Sequence, residues 1–154
     1  MADFPDLFRI IPVDDAGRLF ISPAIAEWSP LAESGIDVVI DLEGAMDTCI
    51  PTRTNNCLYI YFPITDDNEE EPPMVRLRAI ARLGASLIQQ GHGVLAHCGL
   101  GFNRSALVAG LILIELGMPG PAVVERLRER RPGALFNDKF AEVLTALNAT
   151  VETL

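Results

Sequence analysis

Positive charge is scarce in this chain: 12 Lys and Arg against 21 Asp and Glu leave a formal charge of −9. That balance excludes a general binder of nucleic acid or of an anionic membrane, both of which need many basic contacts. Long apolar runs are missing too. The longest, Ala106 to Ile114, falls well short of the roughly 18–20 residues that cross a bilayer. Cysteines number three, an odd count without metal-ligand spacing, so neither a disulfide framework nor a structural zinc site is expected. No metal or cofactor is called for, and a free thiol fits a reducing compartment. Met1 to Asp6 carries acids and a proline where a secretory leader needs a basic start and an apolar run. The expectation is a cytoplasmic protein. Repeats and low-complexity stretches are absent. What remains is one domain over residues 1–154, with a core from about 8 to 148, long enough to bury a proper interior.

Against that background one stretch stands out: His97-Cys98-Gly99-Leu100-Gly101-Phe102-Asn103-Arg104-Ser105. Gly93 to Ala96 before it reads as a short buried strand. Ala106 to Leu116 after it reads as a helix that is apolar almost all round. The loop therefore joins a strand end to a helix start, where free N–H groups and the helix dipole favour an anion. Glycines let such a loop turn its amides inward. Arg104 adds a planar fork of donors that suits two phosphate oxygens. Cys98 lies in the same positive field, which stabilises a thiolate. A thiolate can attack phosphorus, hold a phosphocysteine and release it to water.

The nonapeptide matches the Cys-x5-Arg signature in the form His-Cys-x-x-Gly-x-x-Arg-Ser. It resembles the protein tyrosine phosphatase superfamily, and most of all its small dual-specificity branch. The resemblance extends from about Leu19 to Leu147. It implies a single-domain α/β fold with a central mixed sheet flanked by helices. It also implies that Cys98 is the nucleophile and that Arg104 and the amides of Gly99, Leu100, Gly101, Phe102 and Asn103 hold the phosphate. In family terms Gly101 is the fixed glycine, and Leu100, Phe102 and Asn103 are variable. His97 is implied as a buried hydrogen-bonding residue that orients the loop. The Ser105 hydroxyl is implied as a donor to the sulfur when it leaves, with a simple helix N-cap as its plain alternative. The family's general acid is an aspartate three residues after a strand-ending proline. Tyr59, Pro63 and Asp66 fit that spacing, which makes Asp66 the acid and Asp67 the adjacent alternative.

The rest of the chain reads as alternating elements. Phe8 to Ile11 and Arg18 to Ile21 form a hairpin across a turn rich in Asp and Gly. Ser29 caps a short helix that starts with Pro30 and stops at Gly35. Ile36 to Leu42 and Cys57 to Phe62 are strands, separated by a loop over Glu43 to Asn56. An acidic, proline-bounded loop runs from Pro63 to Pro73. Helices follow over Met74 to Gln90, Ala122 to Arg130, and from an Asn137 cap to about Asn148. This order is an α/β layered domain with its motif at a strand's carboxyl end, where open sheets place ligands. Arg126, Arg128, Arg130 and Arg131 read as a solvated face paired with Glu125 and Glu129, or as an accessory anion subsite. Cys49 and Cys57 read as packing residues, with a protective disulfide to Cys98 as the alternative.

The expected function is a metal-free phosphomonoesterase that acts on a phosphorylated protein and binds phosphate or another oxyanion in the motif loop. Phosphotyrosine is the expected substrate, and a shallow pocket would extend this to phosphoserine and phosphothreonine. The competing readings are a non-catalytic phosphoprotein-binding module and the same chemistry on a nucleotide, RNA 5′-phosphate, sugar or inositol phosphate. The absence of lysines from the motif loop weakens the inositol-lipid reading.

Overall fold

The computed structural model describes residues 9–149. Its elements run β1 (Ile11–Pro12), β2 (Leu19–Ser22), α1 (Ser29–Glu33), β3 (Ile36–Asp41), β4 (Leu58–Tyr61), α2 (Met74–Gln89), β5 (Gly93–His97), α3 (Arg104–Glu115), α4 (Gly120–Arg130) and α5 (Asp138–Thr145). The strands form one sheet in the order β1-β2-β5-β3-β4. Among the described residues only the β1–β2 pair is antiparallel; β2, β5, β3 and β4 run parallel. The result is a single-domain α/β fold with a mixed sheet.

Alternation along the strands sorts the core into two faces. Leu19, Ile21, Val38, Ile40, Val94 and Ala96 point toward α2 and α3. Phe20, Val39 and Leu95 point the other way, where Leu31 of α1, Ile36 and half-buried Trp28 and Tyr59 cover them. The first face holds the larger core. Its centre is α3, in which every residue from Ser105 to Ile114 is buried. That explains a helix apolar on all sides: it has sheet on one flank and helices on the others. Because β2, β5, β3 and β4 are parallel, their carboxyl ends lie together. His97 sits level with Asp41 and Ser22, and Asp41 with Tyr61.

Several boundaries differ from the sequence expectation. The first strand is only Ile11–Pro12, and Phe8 lies outside the described residues. Proline is tolerated there because β1 is the sheet edge. The turn to β2 is held by the Asp14 carboxylate, which accepts from the N–H groups of Arg18 (2.9 Å) and Leu19 (3.0 Å). Trp28, not Ser29, occupies the cap position of α1. The motif helix starts at Arg104, two residues before the expected Ala106. The cap of the last helix is Asn137, whose side chain accepts from Phe140 N at 3.1 Å.

Candidate active site

The motif loop leaves the end of β5 and enters α3 with its carbonyls turned outward. Gly99 O accepts from Ala24 N (3.2 Å), Phe102 O from Leu135 N (2.9 Å) and Leu100 O from Arg131 Nη2 (3.0 Å). A trans peptide points its N–H opposite its C=O. The amides of Leu100, Gly101 and Asn103 therefore face away from those partners, into the loop's interior. Gly101 makes the bend possible, with φ at +75° and a missing Cβ that would stand 2.8 Å from the Ser22–Pro23 backbone. Cys98 is 2 % exposed. Ser105 Oγ lies 3.4 Å from its sulfur. Ser105 is buried within the first turn of α3, and the cap position belongs to Asn103. The plain capping reading of Ser105 is thus replaced by a contact with sulfur.

Arg104 is held along one edge. Its Nη2 donates to Glu43 Oε2 at 3.1 Å, and its Nη1 lies 3.4 Å from the carbonyls of both Leu42 and Ile64. Among the described residues its buried Nε has no hydrogen-bond partner. Glu43 lies against the loop as well: a Cβ on Gly99 would come within 2.4 Å of Oε2. The Gly44 N–H, opposed by desolvation and helped by the Arg104 charge, lowers the Glu43 pKa below the ordinary glutamate value. Glu43 is a site residue that sequence reading passed over as loop. A carboxylate directly after an Asp-Leu strand end was the one available signal.

Asp66 and Cys98 line the same cavity of about 330 Å³, together with Glu43, Arg104, Leu100 and Phe136. Both Asp66 oxygens accept from asparagines: Oδ2 from Asn103 Nδ2 (2.9 Å) and Oδ1 from Asn137 Nδ2 (2.6 Å). Asn103 Oδ1 in turn accepts from Asn137 N at 2.9 Å. Asp67 faces elsewhere; its Oδ1 accepts from Glu69 N, and it is not among the residues lining the Cys98 cavity. Asn103, expected to offer only its backbone, thus also contributes a side chain. Asn137 joins two jobs, capping α5 and bonding Asp66.

Behind the loop, His97 is buried and its Nε2 lies 2.7 Å from Asp47 Oδ2 and 3.5 Å from Asp41 Oδ1. The Tyr59 hydroxyl donates to Asp41 Oδ2, lies 2.9 Å from Asp47 Oδ2 and accepts from Asp47 N at 3.0 Å. Burial, then the bond to Asp41, pushes the Tyr59 pKa well above the ordinary tyrosine value, so the hydroxyl stays a donor. Asp41, Asp47 and His97 have atoms close enough to gather on a cation. Those atoms are instead occupied with one another, with Tyr59 and with Glu43 N.

Two expectations need correcting. The arginine cluster on α4 is a set of structural ties. Arg126 and Arg130 reach Asp15 and the carbonyls of Val13 and Pro12, and Arg128 reaches the carbonyls of Ala134 and Leu135. Among the described residues their bonds run to the hairpin and the 134–135 turn and not to Glu125 or Glu129. Cys57 precedes the amino end of β4, whereas Cys98 follows the carboxyl end of β5. At about 3.3 Å per residue the two are roughly 15 Å apart along the sheet, too far for a disulfide. Burial and then Asp37 also raise the Cys57 thiol pKa. Cys49 is exposed and unbridged.

No helix among the described residues is long and apolar enough to cross a membrane. A search of curated protein sequences finds no match. Solved structures do match. Human DUSP28 is 20 % identical, with a TM-score of 0.69, over 89 % of this chain and 95 % of that one. A mouse putative dual specificity phosphatase complexed with zinc tungstate is 22 % identical, with a TM-score of 0.67, over 95 % and 92 %. Tk-PTP in its active form is 26 % identical, with a TM-score of 0.65, over 88 % and 92 %. The family model for the dual specificity phosphatase catalytic domain matches residues 20–150. With that match across most of its length, the chain belongs to the dual specificity phosphatases, and is a cysteine phosphatase of the wider tyrosine phosphatase superfamily.

Proposed function

We propose that the protein hydrolyses phosphomonoesters on phosphorylated proteins through a phosphocysteine, with phosphotyrosine as substrate and the phosphoserine and phosphothreonine side chains within its chemical reach. The observation that carries this is Arg104. Three contacts fix its guanidinium from one side, while its buried Nε, without a partner among the described residues, is left over in a loop whose floor is a cysteine. A buried donor without a partner is costly, and an oxyanion in the loop satisfies it. The tungstate complex of the mouse relative is in keeping with such a loop.

In the first step the Cys98 thiolate attacks phosphorus. The S–P bond forms, the ester O–P bond breaks, and Asp66 gives its proton to the leaving oxygen. Loop amides and Arg104 hold the equatorial oxygens throughout. In the second step water attacks phosphorus and Asp66 takes its proton. The S–P bond breaks and its electron pair returns to sulfur, where the Ser105 hydroxyl at 3.4 Å stabilises the thiolate. Asn103 and Asn137 donate to both Asp66 oxygens, which supports a base role in this step; acting as acid requires the exchange of one amide bond.

Hydrolysis of p-nitrophenyl phosphate by the wild type, and none by Cys98→Ser, is the expected result. Binding of phosphoprotein without turnover by the wild type would instead indicate a recognition module.

A further inference from the structure

Two large apolar side chains at the mouth of the Cys98 cavity are left uncovered: Leu100 is 69 % exposed and Phe136 is 65 % exposed. Isolated exposed apolar residues need no explanation, but Phe136 is held in place from both sides. Leu135 before it is fully buried and sits at φ +60°, in the left-handed region that a leucine rarely adopts. Asn137 after it is 2 % exposed and tied to Asp66 and Asn103. The chain therefore accepts local backbone strain where it turns Phe136 outward, a pattern that clusters at functional sites. The ring itself is supported. It lies 6.0 Å from the Phe102 ring at 53°, and Phe102 is covered by the Arg131 guanidinium at 4.1 Å. Arg131 also donates to Leu100 O. Loop, arginine and both aromatic rings thus form one stiff rim.

We propose that Phe136, together with Leu100, is an aryl-recognition wall that selects phosphotyrosine side chains over phosphoserine and phosphothreonine. This rests on the phosphatase reading above and deepens it. A phosphate seated on Arg104 Nε, with its ester oxygen toward Asp66, projects its organic group out through the mouth. An aromatic ring attached to that oxygen lies beside Phe136, where ring–ring contact adds to apolar burial. Serine offers one methylene before its polar backbone, which leaves the wall wet. The charged and amide side chains of the lining, Glu43 with Arg104 and Asp66 with Asn103, are already engaged in pairs. Discrimination among organic groups therefore falls to the apolar side of the mouth.

Calorimetric titration of the full chain with phenylphosphonate and with inorganic phosphate separates the wall from the cradle. Phe136→Ala is expected to weaken phenylphosphonate about tenfold while phosphate affinity moves less than about twofold, with Phe136→Tyr restoring the difference. Equal weakening of both ligands, or of neither, would overturn the proposal. A paired titration of Cys98→Ser with one peptide carrying phosphotyrosine or phosphoserine tests the substrate. Equal affinities, or a phosphotyrosine peptide bound no better than phenylphosphonate, would remove phosphotyrosine protein as the selected ligand. Loss of p-nitrophenyl phosphate turnover in the wild type would remove the phosphatase reading while leaving the measured affinity difference intact, so the two failures are distinguishable.

Discussion

The motif loop and the Asp66 segment meet in one cavity but are built in opposite ways. The loop is short, mostly buried and fixed by its own backbone: three of its carbonyls are bonded outward and Cys98 is 2 % exposed. Asp66 belongs to an exposed acidic stretch, and its carboxylate is tied to the loop through the side chains of Asn103 and Asn137. The half that binds phosphate is rigid by construction. The half proposed to move the proton is attached by side-chain bonds that can be exchanged. Binding and proton transfer should therefore respond separately to substitution.

Arg104→Lys strikes the rigid half, because a lysine keeps the charge but loses the planar fork. A loss of about 10³-fold in kcat/KM is expected, with weakened phosphate binding in the same variant. Asp66→Asn strikes the other half. About 10²-fold is expected from kcat on a phosphotyrosine peptide, with phosphate affinity retained and the pH limb of the general acid gone. If Asp66→Asn instead weakened phosphate as much as Arg104→Lys does, the division would fail.

Glu43→Gln sharpens the comparison, since Glu43 aligns Arg104 without entering the chemistry. About tenfold loss in kcat/KM is expected, with the pH dependence giving its cause. The Glu43 pKa is depressed, so its ion pair with Arg104 is present at neutral pH and is lost as pH falls below the ordinary glutamate range, about 4.3. The gap between wild type and variant should stay constant through neutrality and close on the acid side. Asn103→Ala cuts one tie between the two halves. A loss of about fivefold in kcat is expected, because Asn137 still holds the other oxygen; one hydrogen bond contributing about 1 kcal/mol corresponds to that factor.

What the sequence made legible follows the same division. Nine consecutive residues carry the cysteine, the arginine and the glycines of the proposed site, so that signature can be read without a fold. The order of strands and helices also follows from periodicity, with the motif strand and the Met74 helix ending within one residue of their expected bounds. Contacts between distant segments were not legible. Glu43 meets Arg104 across 61 residues and Asn137 meets Asp66 across 71. The parallel strand order brings the segments carrying Glu43, Arg104 and Asp66 to one end of the sheet, and the α5 cap brings Asn137 to them. The Tyr59, Asp41 and Asp47 cluster was hidden for the same reason, since Asp47 lies in an irregular loop with no periodic signal. The arginines on α4 misled because a basic run looks alike in sequence whether it meets solvent or backbone carbonyls.

The central claim is that Arg104 Nε and the inward amides form a ready oxyanion seat above Cys98. A crystal structure of the protein with tungstate tests it directly. The anion is expected within hydrogen-bond distance of Arg104 Nε and over the Cys98 sulfur, with the Glu43–Arg104 pair intact. An anion bound elsewhere, or a loop that leaves Nε unpartnered at saturating tungstate, would contradict it.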